Sequence, residues 1–171
     1  MMPEYRSRSP ECSMRIVAAV LLLALAACST EGKVTPMLAA SAPLPAARSW
    51  SLSVHGCQKP SDCNEVRVEV LAALLNASLI EGITPPGQLA PAALDIDVTR
   101  IRDVSMGERI LFGAMAGRNE IVANVTLKND AGLPLRSFKV ESASAAHPLS
   151  GKTSAQDAYR QFGSDIVSGL R

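Results

Sequence analysis

Apolar and polar positions change rhythm along the chain, and each change marks an element. Residues 16–25 form one unbroken apolar run, followed by small residues up to Cys28. From Ser29 to about Arg48 the chain is rich in Ala, Ser and Pro, with Pro36, Pro43 and Pro45 and little charge. That composition predicts a flexible tether. At Ser49 a new rhythm begins. Trp50, Leu52 and Val54 alternate with Ser51, Ser53 and His55, the period of a half-buried strand. A helix is then expected over about 63–80, opened by Asp62 and Glu65 as a capping pair. Val68, Leu71, Leu75 and Leu79 fall on one side of it, widened by Val70, Ala73 and Leu74. Glu65, Glu69 and Asn76 leave only a narrow polar stripe, so the helix should lie against a sheet.

Gly82, Pro85, Pro86, Gly87 and Pro91 end that helix in a loop. Leu94, Ile96 and Val98 then alternate with Asp95, Asp97 and Thr99, and Ile101 falls out of phase, predicting a bulge near Arg100. After Gly107, Ile110-Leu111-Phe112 reads as a short strand running into Gly113-Ala114-Met115-Ala116-Gly117. Ile121, Ala123, Val125 and Leu127 alternate with Val122, Asn124, Thr126 and Lys128 up to a hairpin at Asn129-Asp130-Ala131-Gly132. Leu135, Phe138 and Val140 carry the return strand. Residues 142–150 read as a loop, and Thr153 with Gln156 should open a last helix. Its apolar face is Ala155, Ala158, Tyr159, Phe162, Ile166 and Leu170. The expected fold is a single α+β domain in the order β-α-β-β-β-β-α. Its mainly antiparallel sheet of about four to five strands would be backed by two helices.

The apolar run changes its meaning once its flanks are considered. Arg15, the run itself and the small residues before Cys28 are the three parts of a secretory signal. The run is too short to span a bilayer as a stable helix, which takes about 20 residues. Leu25-Ala26-Ala27-Cys28 resembles the lipobox of bacterial lipoproteins, in which the cysteine is acylated and becomes the new N-terminus. The resemblance implies lipidation at Cys28. With Ser29 rather than Asp next, it also implies location at the periplasmic face of the outer membrane. Each buried CH₂ contributes about 0.8 kcal/mol, so several acyl chains hold a protein stably. Glu4 and Glu11 are out of place in a basic leader, and Pro3 and Pro10 discourage order, so translation is expected to start at Met14. The chain thus divides into a leader at 1–27, a lipidated tether at 28–48 and a periplasmic domain at 49–171.

Charge removes some partners. Arg6, Arg8 and Arg15 leave with the leader against Glu4 and Glu11, so 17 basic and 16 acidic residues become 14 of each. A mature chain of zero net charge has no basic surplus for phosphates, and neither nucleic acid nor a polybasic lipid contact is expected. Of four cysteines, Cys12 lies in the leader and Cys28 takes the lipid. Cys57 and Cys63 remain, and in an oxidising periplasm they are expected to form a disulfide. So small a loop is worth roughly 2–2.5 kcal/mol by loop entropy. A zinc site would need further ligands, with His55 the only nearby candidate. The spacing is also not that of a redox Cys-x-x-Cys motif.

Candidate chemistry is sparse. Gly113-x-x-x-Gly117 lacks the long apolar stretch of a membrane packing motif, and reads as a tight turn between strands. Asp95, Asp97 and Asp103 are the clustered carboxylates. The first two share a strand face and could bind a cation, or simply be solvated with Arg100 and Arg102 as partners. His55 and His147 stand in no motif with a nucleophile, and no serine lies in a Gly-x-Ser-x-Gly elbow. Asn76-Ala77-Ser78 and Asn124-Val125-Thr126 match the glycosylation pattern but fall in predicted regular elements. No catalytic residue, cofactor or metal is expected, and the chain is expected not to be an enzyme.

The block Gly107-Glu-Arg-Ile-Leu-Phe-Gly113-Ala-Met-Ala-Gly117-Arg, the alternating strand after it, Asp130-Ala-Gly132 and Phe138-Lys-Val140 resemble a family of small bacterial envelope lipoproteins with a domain of unknown function. Members are similar in the lipobox, the early helix, the glycine-rich link between strands and a C-terminal helix. The Cys57/Cys63 pair lies outside that pattern. The family carries no assigned catalytic residues, so the resemblance transfers none. The anchor and tether, a compact domain and sparse chemistry together lead to the expectation of a non-enzymatic, membrane-anchored periplasmic protein with a binding or structural role and an unidentified envelope protein as partner. The alternative is an accessory subunit of an envelope transport or assembly complex, pairing a partner strand at its sheet edge.

Overall fold

The alternation of Leu94, Ile96 and Val98 with Asp95, Asp97 and Thr99 builds the longest strand of the sheet, β4 (Ala92–Arg102). A computed structural model describes residues 31–38, 44–45, 49–85, 88, 90–112, 117–144 and 151–171. The other strands are β1 (Glu31–Leu38), β2 (Ser49–His55), β3 (Gly82–Ile83), β5 (Glu120–Asn129) and β6 (Pro134–Ala143). The helices are α1 (Pro60–Asn76), α2 (Met106–Phe112) and α3 (Gly151–Leu170). The α+β class is as expected, with a six-stranded sheet in the order β1-β6-β5-β4-β2-β3.

Strands β1, β6, β5 and β4 pair antiparallel, while β2 runs parallel to β4 and β3 parallel to β2. The parallel step has a local cause. Strand β2 returns to the sheet through α1, and a helical crossover lets two strands run in the same direction. The bulge anticipated near Arg100 is present as a register shift between Val98 and Arg100. The hairpin also forms as expected. Gly132 takes φ +77°, its amide donates to Asn129 O at 2.9 Å, and Asn129 Oδ1 accepts the Leu133 amide at 2.8 Å.

Four expectations need correction. Glu31–Leu38, expected within the tether, is strand β1, so the folded part begins well before Ser49. The strand escaped notice because it is an edge. Only Val34 is half-buried, opposite Val140, and Pro36 occupies a position that an edge tolerates. Ile110-Leu111-Phe112 is not a strand but the end of α2. Helix α1 starts at Pro60 after an N-cap at Lys59 that has no side-chain cap, so Asp62 and Glu65 lie inside it. Thr153 likewise lies inside α3, which begins two residues earlier.

The face of α1 also differs from the expected one. Val66, Val70 and Leu74, four apart, are the buried positions, whereas Val68 is 59 % and Leu75 40 % exposed. Both β2 and α3 pack on α1, and the stripe between them decides which apolar residues find cover. Each fully buried aliphatic side chain there contributes about 1.5–3 kcal/mol. The face of α3 is as read, with Ala158, Phe162, Ile166 and Leu170 buried and Tyr159 packed at its margin.

Helices α1 and α3 lie side by side against one face of the sheet and close the core over Trp50, Leu94, Ile96, Leu127 and Phe138. Two glycines of α3 set the spacing. A Cβ at Gly163 would stand 2.8 Å from Glu69 O on α1, and one at Gly169 would meet the Phe138 ring at 2.5 Å. The Arg136 guanidinium donates to the Gly169 and Leu170 carbonyls, satisfying acceptors that the end of α3 leaves open. No helix among the described residues is long and apolar enough to cross a membrane.

Candidate functional site

Alternation that sends Leu94 and Ile96 inward sends Asp95 and Asp97 to the opposite face of the sheet, away from the two long helices. Neighbouring strands in register add His55, Asn124, Thr126 and Lys139 to that face. It is polar and laced with ion pairs. Lys128 Nζ donates to Asp95 Oδ2 at 2.9 Å, and His55 places Nδ1 3.3 Å from Asp95 Oδ1 and Nε2 3.6 Å from Asp97 Oδ1. Further along, Lys139 donates to Glu141 at 2.5 Å, and this hydrogen bond holds the Glu141 carboxyl below its ordinary range.

These contacts reassign the partners of the carboxylates. Asp95 and Asp97 come together as expected, but they meet His55 and Lys128. Arg100 instead pairs with Glu120 at 2.5 Å. Asp103 is not with them. It lies beyond the end of β4, where its charge helps raise the pKa of Tyr159. Among the described residues no group of three or more His, Cys, Asp or Glu side chains is placed to hold a metal ion. His147 lies outside the described residues, as do Cys28 and 113–116. Asn76 ends α1 and Asn124 lies within β5.

Cys57 and Cys63 form the disulfide, with Cα atoms 5.7 Å apart. The bridge joins the turn after β2 to the first turn of α1, and both cysteines pack against the core. Its geometry uses His55 for nothing, since that side chain faces the carboxylates.

A second cluster lies at one rim of the sheet, where β1 begins. Glu31, Ala143, Glu120 and Arg102 face one another across four strands. The chain leaves this rim at Arg102, makes α2 and returns at Glu120. Ser105 and Glu108 form a reciprocal cap. The Ser105 amide and hydroxyl donate to Glu108 Oε2 at 2.8 and 2.9 Å, and the Glu108 amide donates back to Ser105 Oγ at 3.2 Å. The bond from the Ser105 amide is the main reason the Glu108 carboxyl titrates below its ordinary range. This Ser-x-x-Glu pattern stands in the sequence and is the overlooked signal that marks the start of α2.

The roots of the excursion are fastened. Buried Asn119 accepts the Val104 amide on Oδ1 at 2.7 Å and the Ser144 amide on its backbone carbonyl at 3.0 Å. Gly117 takes φ +90° directly against the Arg102 guanidinium, and Arg118 reaches Glu31 at 2.7 Å. From this pinned base α2 presents Leu111 and Phe112, 77 % and 60 % exposed.

The concave surfaces carry little chemistry. A groove of about 470 Å³ between α1 and α3 is lined by Ala72, Ala73, Asn76 and Ser164 with Glu69 and Arg160 at its sides. Another of about 450 Å³ lies beside β1, over Val34, Pro36 and Phe138. Neither joins a nucleophile to a base. Among the described residues the arrangement offers a patterned polar sheet face, an edge strand and an apolar tip.

No protein-family profile and no curated protein sequence matches the chain. Solved structures do. A PelC variant dodecamer from Paraburkholderia phytofirmans is similar at 13 % identity and TM-score 0.57, covering 82 % of this chain and all of that one. The PelC dodecamer in another crystal form gives 14 % identity and TM-score 0.55, covering 83 % and 96 %. Protein XCC0632 from Xanthomonas campestris, described as DUF330, gives 14 %, TM-score 0.49 and coverage of 80 % and 89 %. At these identities what the chain shares with PelC is its fold.

Proposed function

We propose that the chain is an envelope lipoprotein, acylated on Cys28 and held at the periplasmic face of the outer membrane. There its domain binds or scaffolds another envelope component without catalysing a reaction. One observation carries this reading: the sheet begins at Glu31, directly downstream of Leu25-Ala26-Ala27-Cys28. A cysteine placed between an export signal and the first strand of a folded domain is where a lipid anchor is useful. The open polar face and the absence of a nucleophile–base pair in either groove favour contact over chemistry.

Cys28→Ser tests the anchor. The substituted chain should move from the membrane fraction to the soluble periplasm, and unchanged membrane association would overturn the reading. Trapping partners by crosslinking in membranes tests the binding role.

A second reading has the chain as a subunit of a larger envelope transport or assembly complex. It draws on the fold shared with PelC, which forms a dodecamer, and on β1 as an edge strand open to pairing. Native mass measurement after gentle extraction decides it. A discrete oligomer or a stoichiometric partner supports the complex, and a monomer without partners counts against it.

A further inference from the structure

Leu111 and Phe112 are large apolar side chains left in the open at the tip of a short helix whose base is fixed on both sides. Such a pair calls for a partner, and the chain itself indicates which. Glu31, the first residue of the sheet, is three residues past Cys28, so the acylated cysteine lies within about 11 Å of it even at full extension. The rim holding Glu31 is therefore the rim nearest the bilayer once Cys28 carries lipid.

Helix α2 leaves from that same rim. Arg102, four residues before α2, is three strand steps from Glu31, about 14 Å along the sheet. On the other side of α2, Arg118 touches Glu31 itself. The other exposed apolar side chains of the sheet, Met37, Leu38 and Leu133, sit at the far end of β1 or in the β5–β6 turn. Six to seven steps along the strand put them roughly 20–23 Å farther from the anchor.

We infer that α2 is a second membrane contact: Leu111 and Phe112 dip into the headgroup–acyl boundary of the bilayer that holds the Cys28 lipid, and so fix the orientation of the domain on the membrane. The occupant is lipid, and the attraction is apolar insertion. The rim charges are mixed, with Glu31, Asp103 and Glu108 beside Arg102 and Arg118, so anionic headgroups are not required. The inference rests on lipidation of Cys28. It adds an orientation that a lipid anchor alone does not impose.

The test uses the full lipidated chain in phosphatidylethanolamine–phosphatidylglycerol vesicles, with an environment-sensitive fluorophore on Leu111→Cys or, as control, on Val68→Cys. Val68 is exposed on α1, and the disulfide keeps Cys57 and Cys63 from labelling. The expected result is blue-shifted emission at position 111, quenched by lipids spin-labelled near the headgroup, with water-like emission at 68. A water-like probe at 111 in protein that floats with the vesicles overturns the inference and leaves the anchor standing. Protein that does not float overturns the anchor and the inference with it. Quenching that is equal at both positions also overturns the inference, because it would mean that the domain has no preferred orientation.

Discussion

The carboxylate of Asp165 on α3 rests directly on the backbone of Gly32 in β1, where any Cβ would collide with it. Asp165 cannot swing away freely, because Ser142 Oγ donates to it at 2.5 Å and Gln161 Nε2 at 2.8 Å. Gly32 thus lets the first strand close over a buried polar contact between β6 and α3. Gly32→Ala should cost about 1–3 kcal/mol, the usual range for overpacking a filled site. Urea unfolding measures it, with Gly82→Ala as a control, since nothing lies within 4 Å of a Cβ there. A Gly32→Ala chain as stable as the original would show that β1 is not held at this point.

Asn119 fastens the root of α2 to the sheet. Asn119→Ala takes the side-chain acceptor from the buried Val104 amide and should cost about 1–3 kcal/mol. Hydrogen exchange gives a local readout: the Val104 amide should exchange faster than amides in the centre of β5. Unchanged protection at Val104 would count against this role.

Reduction of the Cys57–Cys63 bridge, or its replacement by Cys57→Ser with Cys63→Ser, should lower stability by roughly 2–2.5 kcal/mol through the entropy of the unfolded chain. The pair of substitutions and the reduced original should unfold at matching denaturant concentrations. A double variant that loses nothing would remove the bridge from the account of stability.

Tyr159 supplies a pH dependence. Burial, reinforced by the negative charges of Asp62, Asp103 and Glu65, pushes its pKa up to about 12 from an ordinary value of 10. The folded state then keeps a proton that the unfolded chain has released, so this contribution is complete below about pH 10 and is lost as pH rises towards about 12. Tyr159→Phe should unfold along a shallower alkaline limb than the original chain, measured as the difference in denaturation midpoint between about pH 9 and about pH 12. Parallel limbs would show that the phenol ionises alike in both states.

Much of this molecule was legible in its residue pattern, for a physical reason. Where one face of an element is buried and the other wet, the period of apolar residues reports the element directly. That holds for Leu94, Ile96 and Val98, for Ala123, Val125 and Leu127, and for Phe162, Ile166 and Leu170, all of which occupy the core. Local chemistry was equally direct for the Gly132 turn, the bulge after Val98 and the Cys57–Cys63 pair. The expected tether failed because an exposed edge strand has no burial rhythm to display. The strand expected at residues 110–112 failed because three apolar residues in a row do not distinguish strand from helix, and the Ser105–Glu108 cap went unused.

The sequence by itself determined the main elements, the polarity of the two sheet faces and the disulfide partners, since each depends on neighbours close along the chain. Only the tertiary structure decided that β1 closes the sheet against β6 and that Val66 rather than Val68 is buried. It likewise decided that Asp95 meets His55 and Lys128 rather than an arginine beside it. Above all, it brought the two roots of α2, at Arg102 and Arg118, to the rim where Glu31 begins. Those outcomes depend on pairing between residues tens of positions apart, and packing selects among local options that the sequence leaves equivalent.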